Sequence, residues 1–315
     1  MIRAVGGRAL RFVLTLAATS VLVFAFMRVL PGDPAEVALG TGASEEALER
    51  TRAEFGLDRP LAVQYWDWIS GIPLGDFGVS FVTGEDISPV VLDRLSVSLI
   101  LVVSAMVVAV AVAVPLGSWA AVRHRRADGI AVSALSQVGV AVPNFLAGML
   151  LVAAFALGLG WLPANSWMPP AYDPVQFLSH LVLPVAALAA VQAAVMTRYV
   201  RTSVLEIMGQ DWMRTARAKG LSRFRALVRH GLRNAALPVL TVTGIQLTTL
   251  VVGAVVIEQV FVIPGIGSEL IEAVAARDLL TVQSVVMLLA MATLTVNFVV
   301  DLLYLILDPR TAVRT

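Results

Sequence analysis

The sequence predicts an all-α integral membrane protein with six transmembrane helices. The chain has 315 residues, of which 58% are hydrophobic and 14% charged, whereas a soluble domain carries about 25% charged residues. A bilayer core of about 30 Å requires about 20 apolar residues per helix. Six stretches meet this requirement: residues 9–30, 95–122, 130–159, 179–200, 237–260 and 282–307.

The first apolar stretch resembles a secretory signal in one respect, because Arg3, Arg8 and Arg11 precede or open it. Its apolar part is longer than the hydrophobic region of a signal peptide, and no small-residue cleavage site follows it. We therefore expect an uncleaved membrane anchor.

The loops between the spans fall into two classes, those rich in basic residues and those poor in them. Arg8 and Arg11 flank the first stretch, Arg123 and Arg126 follow the second, and a strongly basic segment follows the fourth. Because cytoplasmic loops are enriched in Lys and Arg, this distribution predicts that both termini are cytoplasmic. The loops predicted to be external agree, since residues 35–93 are rich in Asp and Glu and residues 161–177 contain neither Lys nor Arg.

The first external loop, of about 60 residues by the length of the gap between spans, contains its own structural signals. Ser44 is placed to cap a short helix that ends before Gly56. An aromatic cluster follows at residues 65–69, for which membrane anchoring in the headgroup zone is favoured over ligand stacking. The loop closes with the tight turn Gly75-Asp76-Phe77-Gly78.

Polar residues inside the predicted spans are candidates for a translocation path. Thr241, Gln246 and Thr249 recur at about helical spacing in the fifth span, which predicts one polar side of that helix. Asn144 adjoins Pro143, the proline most suited to a moving kink, and Asn297 lies in the sixth span. The alternative is that these neutral groups form hydrogen bonds between helices.

Several kinds of chemistry have no support in the sequence. The chain has no cysteine, and its three histidines lack metal-ligand spacing. The only lysine, Lys219, is followed by glycine, so there is no P-loop for ATP. No hydrolase motif occurs within a span. We expect neither a catalytic residue nor a metal or cofactor on this chain, and we expect membrane lipid rather than nucleic acid as its surroundings.

The basic segment 211–238 has the pattern of two short helices. Asp211 is placed to cap the first, and Gly220 fits the left-handed position that ends it. Ser222 is placed to cap a second helix that leads to Pro238, with Phe224, Leu227, Val228 and Leu232 as its apolar stripe. Two interpretations remain open on the pattern alone: a docking projection, or a basic loop that only fixes topology.

The order Arg214-Thr215-Ala216, then Gly220, then Leu237-Pro238 resembles the EAA loop of binding-protein-dependent ABC importer permeases. Arg214 stands where that family usually has Glu, and the spacing to Leu-Pro is longer; both features are similar to the dipeptide and oligopeptide branch. Seven further motifs match the first permease of that branch in order: Leu30-Pro31-Gly32-Asp33-Pro34, Phe55-Gly56-Leu57-Asp58-Arg59-Pro60, Gly75-Asp76-Phe77-Gly78, Trp161-Leu162-Pro163, Pro264-Gly265-Ile266-Gly267, Arg277-Asp278 and Asp308-Pro309-Arg310.

The resemblance implies a type I ABC importer permease fold in a bacterial cytoplasmic membrane. It also implies a heterodimer with a second, similar permease, two cytoplasmic ATPases that bind ATP and Mg²⁺, and an external solute-binding protein. Peptide is the implied cargo, with nickel chelates, glutathione or another small solute as alternatives and a stand-alone channel or carrier as the rival class.

The resemblance further assigns regions and residues. Residues 1–94 would form the first span and an external scaffold loop, 95–308 the permease core with its coupling loop at 201–236, and 309–315 a cytoplasmic tail. The ATPase-coupling residues would be Asp211, Trp212, Met213, Arg214, Thr215, Ala216, Arg217, Lys219 and Gly220. The external docking residues would be Asp76, Phe77, Gly78, Pro264 and Gly265.

Overall fold

A computed structural model describes residues 2–30, 32–40 and 42–307, without the side chains of residues 2–4, 230, 232–237 and 306–307. The predicted tail at 309–315, the motif Asp308-Pro309-Arg310 and Pro31 lie outside the described residues. Thirteen α-helices are described: α1 (Ile2–Val29), α2 (Pro34–Leu39), α3 (Glu45–Glu54), α4 (Leu61–Gly71), α5 (Ser88–Val122), α6 (Ala127–Ala141), α7 (Asn144–Leu151), α8 (Pro174–Met208), α9 (Asp211–Ala218), α10 (Arg223–Ala226), α11 (Leu232–Phe261), α12 (Ile266–Ala276) and α13 (Leu279–Leu307). Within these residues, the only strand-like pairing is an isolated antiparallel bridge between Val79 and Asp86.

Five helical segments are long and apolar enough to cross a membrane: Val5–Val29, Ser88–Val122, Pro174–Met208, Pro238–Phe261 and Leu279–Leu305. A sixth span is formed if α6 and α7 count together. A π-helical segment extends α7 to Gly158. These two helices meet at an angle of 102° at Val142 and Pro143. Pro115 and Pro184, in contrast, lie inside the unbroken helices α5 and α8.

The chain divides into two compact units. The N-terminal unit contains residues 6–98 and 264–295, and the core unit contains residues 2–5, 99–263 and 296–307.

Aromatic side chains build the centre of the N-terminal unit. Phe24 of α1 packs against the rings of Trp68 and Tyr65 of α4, with centroids 6.2 and 5.4 Å apart. The Trp68 indole N–H donates to Ser284 Oγ at 3.2 Å, and Ser284 Oγ in turn donates to the Phe77 carbonyl at 2.9 Å. The predicted membrane-anchoring role of the aromatic cluster is therefore wrong for Trp68, which is buried, while Trp66 is 67% exposed.

A buried carboxylate fixes the loop after α4 in the N-terminal unit. The Asp278 carboxylate accepts hydrogen bonds from Ser80 Oγ at 2.6 Å and from Thr281 Oγ1 at 2.7 Å, and it also accepts from the Phe81 backbone N–H. A buried charge is costly unless hydrogen bonds satisfy it. This network therefore ties the loop to the start of α13.

The capping predictions for the loop after the first span are confirmed. Ser44 precedes α3 and its Oγ accepts from the Ala47 N–H. Gly56 follows the helix with φ +67°, a left-handed conformation that glycine adopts without steric cost.

Close packing of small residues holds the core unit together, in which α8 packs against α6, α7 and α11. A Cβ atom added at Gly117 of α5 would lie 2.7 Å from Val200 Cβ of α8. One added at Gly139 of α6 would lie 2.7 Å from Ala194 Cβ of α8. Membrane helices associate through such close approaches, because the bilayer supplies no hydrophobic drive between them.

Candidate functional site

The first helix of the basic segment is a discrete element. The helix α9 covers Asp211–Ala218, with Gln210 in the N-cap position. The prediction that Asp211 caps this helix is wrong by one position, since Asp211 occupies its first turn, where a negative charge favours the helix dipole. Gln210 instead accepts a hydrogen bond from the Trp212 indole N–H at 2.8 Å.

The end of α9 has the geometry of a Schellman motif. Gly220 has φ +85°, its N–H donates to the Arg217 carbonyl at 2.9 Å, and the Leu221 N–H donates to the Ala216 carbonyl at 3.2 Å. Leu221 also packs on the cluster of Met213, Ala216 and Ala226, an apolar contact of the kind that accompanies this motif. The predicted left-handed stop at Gly220 is therefore confirmed.

One face of α9 is anchored inside the core unit. Met213 and Ala216, three residues apart, are 4% and 8% exposed and pack with Ala226. Trp212 is half-buried and packs on the cluster that contains Ile207 and Leu227. Met213, which the resemblance assigns to ATPase coupling, is thus buried within this chain and anchors α9 from inside.

The opposite face of α9 is open and basic. Its exposed side chains are those of Asp211, Arg214, Thr215, Arg217 and, past its end, Lys219. Arg214 lies 3.8 Å from Asp211, but both side chains are almost fully exposed, so this pair adds little stability. The face is therefore free to meet an acidic surface.

The segment after Gly220 packs against α9. The Ser222 Oγ accepts from the Arg225 N–H at 3.3 Å, which confirms the predicted cap. A π-helical turn at Leu227–Gly231 then joins α11, so the helix runs on through Pro238 rather than starting there. In the predicted stripe, Leu227 is buried whereas Phe224 and Val228 are half exposed.

Gly231 allows this turn to pack on α9, a role that the sequence analysis did not detect. A Cβ atom at Gly231 would lie 2.7 Å from Leu227 Cδ1 and 3.2 Å from Trp212 Cη2. The nearest of these atoms belongs to Leu227, four residues earlier in the same segment, and Trp212 adds a second contact from α9.

Beside α9 lies an open cleft of about 680 Å³. Its lining is basic with apolar edges: Val122, Arg123, Arg126, Arg217, Gly220, Leu221, Ser222, Arg223 and Phe224. Arg123 forms an ion pair with Asp128 and stacks on the Trp119 ring at 4.3 Å. The positive charge of α9 therefore continues onto the start of α6.

The predicted path residues of the fifth span do not share one side. The Thr241 hydroxyl donates to the Tyr304 hydroxyl of α13 at 2.6 Å, whereas Gln246 Nε2 donates to Gln192 Oε1 of α8 at 2.5 Å. Thr249 is exposed, with its hydroxyl on the carbonyl of Ile245. Thr241 and Gln246 thus join helices of this chain, and the prediction of a single polar side is wrong.

Asn144 and Asn297 lie in different settings. Asn144 begins α7 directly after the 102° bend, its Oδ1 is buried without a hydrogen-bond partner among the described residues, and its Nδ2 packs close to Gly253 of α11. Asn297 is exposed on α13. Within the core unit, Asn144, Thr249 and Asn297 are therefore the candidate path residues not already paired between helices.

The predicted external docking residues lie in the N-terminal unit with unequal exposure. Asp76 is exposed, and its Oδ1 accepts from the Gly78 N–H at 2.9 Å. Phe77 is 3% exposed, so its side chain supports the loop and cannot itself contact another protein. Pro264 is half-buried and Gly265 buried, and they open α12, whose first N–H, that of Ile266, donates to Ser98 Oγ at 2.8 Å.

Among the described residues, no three His, Cys, Asp or Glu side chains are grouped so that they could hold a metal ion.

Comparison with known proteins identifies the family. Residues 113–313 match the family described as the binding-protein-dependent transport system inner membrane component, and residues 1–102 match its N-terminal membrane component. The chain belongs to this family of binding-protein-dependent transport permeases. It is therefore a permease subunit of an ABC importer, a multi-pass protein of the inner membrane that works with other transporter components and is not itself the ATPase.

Relatives of this permease cover nearly its whole length. A putative peptide transport system permease protein of Brucella suis biovar 1 is 40% identical over 291 residues, covering 92% of this chain and 93% of the relative. The glutathione transport system permease protein GsiC of Escherichia coli K12 is 39% identical over 306 residues, covering 96% of each chain.

A solved structure shows the same fold. A chain from the inward-facing MetNI methionine ABC transporter superposes with a TM-score of 0.60 at 16% identity, covering 70% of this permease and 98% of that chain. The predicted type I ABC importer permease fold is thus confirmed.

Proposed function

We propose that this permease imports short peptides into the cytoplasm as one half of a heterodimeric ABC importer. The observation that supports its coupling role most directly is α9. This helix is anchored through Met213 and Ala216, is stopped by the Gly220 motif, and presents Arg214 and Arg217 to solvent. The names of the relatives, peptide and glutathione permeases, support a peptide cargo.

The proposed complex contains a second, similar permease, two cytoplasmic ATPases that bind ATP and Mg²⁺, and an external solute-binding protein. Both termini and α9 would face the cytoplasm, as the basic loops predict. The solute-binding protein would dock on the external side near Asp76, Pro264 and Gly265, with Phe77 and Gly78 supporting that surface.

In the proposed mechanism, α9 transmits the motion of the ATPases to the membrane helices. Arg214 and Arg217 would form charge-assisted contacts with an acidic rim of an ATPase. Because Met213, Ala216 and Trp212 pack on residues next to α8 and α11, movement of α9 would carry these helices with it. Such a lever fits the rigid-body and hinge motions by which proteins switch between two states.

The path itself would run where the two permeases meet. Thr249 and Asn297 are exposed polar groups on helices predicted to be in the membrane, and such groups usually face another helix or water. Asn144, at the bend between α6 and α7, would join them if that bend moves.

Reconstitution of the whole complex in proteoliposomes tests this function. We expect uptake of labelled di- or oligopeptides that requires ATP, the ATPases and the solute-binding protein. Uptake by this chain alone without ATP would indicate a channel or carrier and contradict the proposal.

Glutathione is a second candidate cargo, because GsiC is as similar to this chain as the peptide permeases are. Competition between glutathione and alanine peptides in the same uptake assay decides between them, and nickel chelates or other small solutes can be tested as competitors in parallel.

A further inference from the structure

The N-terminal unit contains a polar cleft of about 250 Å³, separate from α9 and from the candidate path residues. Residues of α1, α3, α4, α13 and the loop after α4 line it. The charged and amide side chains at its wall are those of Arg28, Glu54, Arg59, Gln64, Asp67, Asp76 and Gln283.

Arg28 provides an unused hydrogen-bond donor in this wall. Its Nε is buried and has no hydrogen-bond partner among the described residues. The guanidinium lies 4.9 Å from the centre of the Phe24 ring, a contact that orients it without using its N–H groups. Arg59, in contrast, already forms an ion pair with Asp67 at 3.2 Å. The Nε itself is closed to solvent, but the half-buried guanidinium has no ion-pair partner among the described residues. Its terminal N–H groups can therefore bind an anionic ligand.

Gln64 is held rigidly beside the cleft, and its Oε1 does not reach the cleft. Its Nε2 donates to the carbonyls of Leu57 at 3.1 Å and Arg59 at 2.6 Å. These two carbonyl acceptors fix the orientation of the amide, since only its nitrogen can donate to them. The Gln64 Oε1 is consequently left buried without a partner among the described residues.

The remaining wall suits a small ligand with charges of both signs. Glu54 and Asp76 add negative charge to the wall, while Phe24, Phe55 and Phe81 form apolar sides, with the last two rings 4.6 Å apart. At roughly 30 Å³ per water molecule, the cleft holds about eight waters, which is the size of an amino acid.

We propose that this cleft binds an amino acid or the terminal residue of a short peptide as a zwitterion. The carboxylate would accept from the terminal N–H groups of the Arg28 guanidinium, and the ammonium group would donate to the carboxylates of Glu54 and Asp76. By the predicted topology the cleft faces the external side, at the end of the first membrane span. Binding here needs neither ATP nor α9, so its failure would leave the proposed import function untouched.

Equilibrium dialysis tests the site on the full-length chain in phosphatidylcholine nanodiscs, with radiolabelled alanine and dialanine as probes. The solute-binding protein is left out, because it would bind the probes itself. We expect saturable binding that Arg28→Gln weakens by at least about tenfold, the effect of losing a charge-assisted hydrogen bond. The matched control is Arg50→Gln, since Arg50 lies outside the cleft and its exposed ion pair with Glu46 is on the surface of α3. Equal elution volumes and helical circular dichroism show that each variant is folded.

Competitors separate the two charges and the two possible sources of a zwitterion. We expect unlabelled alanine to compete at least about tenfold better than alaninamide, which lacks the carboxylate, and than N-acetylalanine, which lacks the ammonium group. Equal competition by either compound would overturn the proposal. Unchanged binding in Arg28→Gln would also overturn it. If glycerophosphoethanolamine but neither alanine nor dialanine bound in an Arg28-dependent way, the cleft would be a site for a lipid headgroup and the proposal would be overturned.

Discussion

The Leu221 N–H donates to the Ala216 carbonyl at 3.2 Å, and this bond closes the end of α9. The bond forms only if Gly220 keeps its left-handed backbone, with φ +85°. Because Ala216 is also buried against Ala226, the same residue anchors the helix and receives its terminating bond. The exit direction of the chain and the exposed positions of Arg217 and Lys219 therefore depend on one glycine.

Replacement of Gly220 is expected to uncouple ATP hydrolysis from uptake. Apart from the two adjoining residues, no atom of the described residues lies within 4 Å of an added Cβ, so the backbone conformation and not space opposes a side chain. A β-branched residue is disfavoured there by about 1–2 kcal/mol or more. Gly220→Val should reduce peptide uptake in proteoliposomes several-fold while the protein remains inserted in the membrane.

Gly220→Asn is the matched control for this substitution, because asparagine tolerates the left-handed conformation. It should retain most of the coupled uptake. Equal activity of the valine variant, the asparagine variant and the wild type would show that this stop is not required for coupling.

The Gln192–Gln246 hydrogen bond is expected to stabilise the contact between α8 and α11. Gln192 is 2% exposed and accepts from Gln246. Gln246→Leu should destabilise the protein by about 1 kcal/mol, because it leaves a buried amide without this donor. Thermal unfolding in detergent measures the change.

A second substitution separates this bond from general packing effects. The double variant Gln192→Leu/Gln246→Leu should lose less than the sum of the single changes. Thr243→Val should have a small effect, because the Thr243 hydroxyl donates to the Val239 carbonyl of its own helix. Strict additivity of the two glutamine substitutions would contradict the coupling.

Glu269 is expected to make stability depend on pH. Burial raises the pKa of its carboxyl group, and Arg94, 3.4 Å away, opposes this shift only in part. With a folded-state pKa above the unfolded one, the folded protein binds more protons, so stability falls as pH rises from the ordinary glutamate range through the raised value. Glu269→Gln should remove this slope from the unfolding temperature measured against pH. Glu49→Gln, at an exposed position of α3, should retain the slope. An unchanged slope in Glu269→Gln would show that another group titrates.

Thr249 and Asn297 are expected to be accessible from water. The sequence contains no cysteine, so single substitutions report on one position each. Thr249→Cys and Asn297→Cys should react with charged thiol reagents in the assembled transporter, and peptide should slow the reaction. Leu250→Cys, at a fully buried position, should not react. Equal inertness of all three positions would place Thr249 and Asn297 against lipid or protein.

Local signals in the sequence predicted local features correctly. Ser44, Ser222 and Gly220 lie at helix ends whose hydrogen bonds involve residues within five positions, so their roles follow from a short stretch of sequence. The burial of Met213, Phe77 and Trp68 could not be predicted in this way, because it depends on residues distant in the chain, such as Ser284 for Trp68.

The prolines likewise show that the local sequence does not decide every local structure. Pro115, Pro143, Pro184 and Pro238 all lie within or beside helices, yet only the Pro143 site bends its helix pair by 102°. Neighbouring helices and local backbone adjustments can satisfy the groups that a proline frees. The outcome at each proline is therefore set by its tertiary surroundings.

The most direct test of the proposed coupling role is cross-linking between α9 and the ATPase subunits in the assembled transporter. Arg217→Cys, on the exposed face, should form an adduct with a cysteine placed in the ATPase cleft, and ATP should change its yield. Met213→Cys, which is buried in this chain, and Asp76→Cys, on the predicted external side, should not. Absence of the Arg217→Cys adduct, or an equal yield from Asp76→Cys, would contradict the assignment of α9 as the coupling helix.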